Sequence, residues 1–196
     1  MNSLRFAFVG AVLTLSVATS NAGELVPYQA PGWKYLQVPW ADPATATFYS
    51  ASFDDSGWSE ARGAFGEFAE LSAPGTCSAA YTLHTQWDIN TDLLLRRYVP
   101  SSSSSPLTIH LSIDNDATVY FNGVEVLATV HEYCPFPDDF SVVVPTSLLS
   151  PSGSNLLAIR AHDRGGFSFI DLRVEGEYPP VGVEAATWGR VKALFR

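Results

Sequence analysis

The feature that most constrains this chain is the alternation between residues 107 and 130. Leu107, Ile109, Leu111 and Ile113 take turns with Thr108, His110 and Ser112. That period of two belongs to a strand with one buried face. A second run, "ATVYFNGVEVLATV", begins at Ala117 and folds back at Asn122-Gly123, the strongest two-residue signal for a hairpin with a type I′ turn. Between the runs stand Asp114, Asn115 and Asp116. Asx side chains bond their own backbone, so a turn is the preferred reading. The rival is a structural Ca²⁺, which collects roughly six to eight oxygens. It would draw on Asp114 and Asp116, with Asp171 or Asp163 closing the shell.

The rest of the chain reads as strands and loops. "WKYLQV" at 33–38, "DLLLRRYVP" at 92–100, "FSVVV" at 140–144, "NLLAIRAHD" and "FSFIDLRVEGEY" are strand-like. "DDSGW" is an Asp, Ser and Gly turn. "GAFGEFAELSAPGTCSAA" has no steady period and predicts a long ordered loop, and "SSSSS" at 101–105 a surface connection. Short strands at near-regular spacing with no long amphipathic helix predict an all-β antiparallel sandwich. The ending differs: Trp188, Val191 and Leu194 or Phe195 fall at helical spacing, among Arg190, Lys192 and Arg196. A short basic helical tail over 181–196 is expected, either packed on the domain or docking a protein partner.

Composition bounds the partners. The net charge of −9 argues against a nucleic acid, and no basic patch exists to hold an anionic membrane surface. Residues 1–22 have the form of a secretory signal peptide: Arg5, an apolar run from Phe6 to Ala18, and a small-x-small site ending at Ala22. No other segment is apolar for the roughly 20 residues a span needs. A protein secreted to the extracellular space or periplasm is expected, with one sandwich domain over 23–180. In an oxidising compartment Cys77 and Cys134, the only two cysteines, are expected to pair.

Five stretches in order, "ASFDDSGWSEARGAFGE", "DLLLRRYV", "LSIDNDATVYFNGVEV", "PTSLLSPSGSNLLAIRAHDRGG" and "FSFIDLRVEGEY", resemble the galactose-binding-domain-like jelly roll, as in the sugar-binding module of family 2 glycosidases. The resemblance spans about residues 33 to 178. It implies a jelly-roll sandwich and a role found among such modules: binding glycans, or serving as a spacer or docking domain. In that family the acidic stretch is usually structural.

Candidate ligand residues follow from loop chemistry. His162, Asp163 and Arg164 cluster at a strand end before two glycines, with Phe167 just beyond. Loops at one end of a rigid sandwich are where such folds bind. Tyr133 and Phe136, beside Cys134, offer aromatic faces for a sugar ring, and Trp58 is either a further platform or a core plug. Catalysis finds no support. There is no G-x-S-x-G setting for a nucleophile, and Asp54-Asp55 and Asp138-Asp139 are adjacent pairs whose side chains diverge. The expected function is non-catalytic binding of extracellular carbohydrate; the alternative is a structural or adhesive module that docks onto a protein.

Overall fold

The structure, a computed structural model, describes residues 22–67, 82–132 and 134–179. Among them run eleven strands: β1 (Ala22–Val26), β2 (Pro31–Val38), β3 (Ser59–Arg62), β4 (Phe65–Gly66), β5 (Thr85–Gln86), β6 (Asp92–Pro100), β7 (Leu107–Phe121), β8 (Val124–His131), β9 (Phe140–Val144), β10 (Ser154–His162) and β11 (Phe169–Glu177). The fold is all-β. Among the described residues short 3₁₀ turns stand at Pro43–Thr45 and Thr146–Leu148, and no helix is long and apolar enough to cross a membrane. The expected signal segment and the expected helical tail lie outside the described residues.

β7 organises the whole. Its first half pairs with β11 on one side and β9 on the other. From Asn115 onward it pairs instead with β10 and β8. One sheet therefore runs β5-β4-β11-β7-β9, with β1 also on β11, and the other runs β3-β2-β6-β10-β7-β8. The pairings are antiparallel except β4 with β5.

This corrects the expected turn at Asp114-Asn115-Asp116: the strand is unbroken across it. The acidic triplet sits where β7 leaves one ladder for the other. Its backbone groups find new strand partners there, so no Asx turn is needed to satisfy them. The alternation also keeps its phase. Ile109, Leu111 and Ile113 before the triplet, and Ala117, Val119 and Phe121 after it, all belong to one core.

That core lies between the sheets. Trp33, Leu93, Leu95, Leu157, Ile159, Ile170, Leu172 and Val174 join the β7 residues in it, and each such side chain contributes roughly 1.5–3 kcal/mol when fully buried. Asn122-Gly123 makes the expected two-residue turn, with φ of 50° and 85° at the two positions, the left-handed pair that a type I′ turn requires.

The outer face of the second sheet is also covered. Val38, Leu94 and Ala158 project from β2, β6 and β10 and meet Phe48 and Trp58 from the segment 39–58. Arg96 pins this segment: its Nε donates to Asp55 Oδ2 at 2.6 Å, and its NH1 to the carbonyls of Phe48 and Ser50. Asp54 caps the local turn by accepting the Ser56 N–H at 3.0 Å. Trp58, only 9% exposed, is the plug of this cluster, packed edge-on to Phe53.

Candidate functional site

Where the 39–58 segment leaves β2 it passes the end of β10, and here a site assembles. Alternation along β10 turns Leu157, Ile159 and Ala161 into the core, so Arg160 and His162 face outward. Cross-strand register places His162 opposite Asp92 on β6 and Asp116 on β7. Asp92 is buried, and its carboxylate accepts His162 Nδ1–H at 2.7 Å and the Ala41 N–H at 3.1 Å. The second bond ties down the loop carrying Trp40. Trp40 is 72% exposed, and its indole lies over the His162 ring at 5.4 Å with 26° between the planes.

Beyond β10 the chain bends through Gly165 and Gly166, at φ of 100° and 95°, a region that glycine enters without strain. The bend closes on Asp163, whose exposure is 0%. Its Oδ2 accepts the N–H groups of Asn90 at 2.6 Å and Gly165 at 2.8 Å. Its Oδ1 is buried with no hydrogen-bond partner among the described residues. Arg164 is held by its own N–H to Asn115 Oδ1 at 2.8 Å, and by ion pairs to Glu132 at 2.9 Å and Asp116 at 3.1 Å. Trp40, Asn90, His162, Asp163 and Arg164 together line an open recess of about 380 Å³. Behind it Asp114 is pushed up to about 6, first by burial and then by the negative charge of Asp163.

The expected residues divide. His162, Asp163 and Arg164 are brought together at the recess. Phe167 is not among its lining: it is buried, stacked on Phe169 at 6.3 Å, in a small cluster with Ala64 and Leu83. Trp58 is a plug with no free face to offer a sugar. Phe136 is 63% exposed, but its carbonyl accepts the Ser112 hydroxyl on the other sheet, away from the recess lining. Tyr133 lies outside the described residues. Cys134 is not a free thiol, and Cys77 lies outside the described residues.

The expected calcium ligands do not converge either. Asp116 is paired with Arg164. Asp171 stands on β11 with both oxygens on the Gln29 N–H, at 3.0 and 3.2 Å. Among the described residues no group of three or more His, Cys, Asp or Glu is placed to hold a metal ion. The reason is topological: β7 carries Asp114 and Asp116 across the corner while Asp171 pairs back at Ser112.

Sequence reasoning missed Trp40 and Asn90. The usable signal for Trp40 was its setting in "VPWADP": prolines on both sides take it out of the strand period, so no core position claims it.

No family model matches this chain, and no curated protein matches it in sequence. Solved structures do match it in fold. A glycosyl hydrolase family 2 member from Bacteroides cellulosilyticus is 17% identical, with a TM-score of 0.50 over 79% of this chain and 20% of that one. The β-glucuronidase from Ruminococcus gnavus in complex with D-glucaro-d-lactam is 10% identical, with a TM-score of 0.52 over 85% of this chain and 31% of that one. The same enzyme with an N1-substituted uronic isofagomine gives 11% identity and a TM-score of 0.51, over 85% and 31%. The chain thus spans about a fifth to a third of the chains it matches, and shares the fold of a β-sandwich portion of family 2 glycosidases.

Proposed function

We propose that the protein is a secreted, non-catalytic carbohydrate-binding module of the galactose-binding-like jelly-roll type, and that its sugar sits in the recess beside Trp40. One observation carries the reading: a tryptophan 72% exposed, braced against His162 at the mouth of a recess with buried polar groups. An exposed indole face held in place is what a ligand with an apolar face can stack on. A pyranose offers the complement, an apolar C–H face and a rim of hydroxyls. The family 2 fold is consistent with a carbohydrate-associated role.

The non-catalytic part of the reading draws on how the polar groups are held. Asp163 is fixed by backbone N–H groups, Asp92 by His162 and Ala41, and Arg164 by two carboxylates. Such mutual restraint lowers the ordering cost of binding, which suits a site that holds a ligand.

The test is a glycan array on the purified protein followed by titration calorimetry. Trp40→Ala should weaken any glycan found by about 1–3 kcal/mol, as for other aromatic anchors, with no change in melting temperature. Unchanged affinity in the folded variant would move the site elsewhere. Val130 stands 73% exposed on edge strand β8, which favours the docking-module reading should no glycan bind.

A further inference from the structure

We infer that the recess selects neutral pyranosides and rejects uronates; this rests on the carbohydrate reading above and adds the substrate class to it. The argument begins at Asp163 Oδ1. Its sister oxygen is satisfied by two backbone N–H groups, but Oδ1 is buried without a partner among the described residues. A buried acceptor left unpaired is unfavourable, and an arriving hydroxyl would complete it. Only a donor can fill that place.

His162 has the same polarity. Its Nδ1 faces the Asp92 carboxylate at 2.7 Å; the tautomer that donates there leaves the other ring nitrogen as an acceptor. His162 and Asp163 therefore both lean toward ligand groups that donate.

The recess does contain a cation, and a uronate would seek it. Arg164 is already paired, with Glu132 on one guanidinium nitrogen and Asp116 on the other. Taking it for a sugar carboxylate means breaking one of those pairs. The newcomer would also approach Asp163, Asp116 and Asp92 on a chain of net charge −9. Like charges brought close together disfavour one another. Selection here works by repulsion as much as by fit.

Two matched pairs test this: methyl β-D-glucopyranoside against methyl β-D-glucuronide, and methyl β-D-galactopyranoside against methyl β-D-galacturonide. Each pair differs only at C6, hydroxymethyl against carboxylate. Calorimetry and quenching of tryptophan fluorescence should show at least one neutral sugar bound about tenfold or more tighter than its uronide. Asp163→Asn keeps one oxygen for the Asn90 and Gly165 N–H groups and replaces the unpaired acceptor with an amide donor. It should weaken the neutral sugar about tenfold and bring the ratio within each pair toward one, with a thermal melt confirming the fold. A uronide bound as well as its neutral partner, with Trp40 quenched, would overturn the selectivity and leave the carbohydrate reading standing. Silence from all four sugars in both measurements would overturn both.

Discussion

At the scale of single residues, Asp171 sits in an environment that opposes its charge. It lies buried on β11 against Gly63, where an added Cβ would come within 2.9 Å of its Oδ1. Burial pushes it up to about 7 from 3.8, against the two N–H bonds from Gln29 and Leu172 that favour the anion. A raised folded-state value means that the folded protein binds this proton more tightly than the unfolded chain. Its contribution to stability is full below about pH 4 and is lost as pH rises through 7. The span between those values corresponds to a loss on the order of 4 kcal/mol. Asp171→Asn should match wild type near pH 4 and melt at a higher temperature than wild type at pH 8. Asp114, pushed up to about 6, adds a slope of the same sign, so the variant should keep part of the decline. Parallel melting curves from pH 4 to 8 for the two proteins would refute the assignment to Asp171.

The elements were legible in the sequence to the extent that one face of each was buried. β6 begins and ends where "DLLLRRYVP" does, and the β7–β8 hairpin turns at Asn122-Gly123, because period and turn chemistry are local. Asp114-Asn115-Asp116 was misread for the opposite reason. Its satisfaction comes from β10 and β8, partners that no local pattern reveals. The site shows the same division. "HDRGG" declares itself by polarity and glycine, whereas Trp40 and Asn90 join it only through register and the fastening of the 39–58 segment. That segment is an element in its own right, with Trp58 as plug and Arg96 as anchor. Trp58→Ala should cost about 3–5 kcal/mol in urea unfolding, as large aromatic truncations do in packed cores. It should also loosen the loop that presents Trp40, so sugar affinity should fall although Trp58 touches no ligand. A stability loss within 0.5 kcal/mol, the range typical of surface changes, would show that the segment does not depend on its plug.

Across the whole molecule, the two sheets share β7, and the loops at its corner decide whether the recess keeps its shape. The segment after β8 bears on both. Glu132 holds Arg164 at the recess. Six residues later Asp138 accepts from Arg173 on β11 at 2.8 Å and from Tyr28 in the β1–β2 turn at 2.6 Å, and the Arg173 bond above all holds its carboxyl down at about 2. Cys134 sits between these two attachments. We propose that it is bonded to Cys77 in the exported protein, since the chain has no other cysteine and an oxidising compartment favours the bond. Cross-linking positions that far apart in sequence restricts the unfolded chain and stabilises by about 4 kcal/mol in the chain-entropy model. Thiol labelling of denatured, unreduced protein should therefore find no free cysteine. Adding reductant should lower the melting temperature and, by releasing the segment that holds Glu132, also weaken sugar binding. A melt insensitive to reductant, or two labelled thiols before reduction, would separate the recess from any covalent support and leave its rigidity to the Arg164 and Asp138 ion pairs alone.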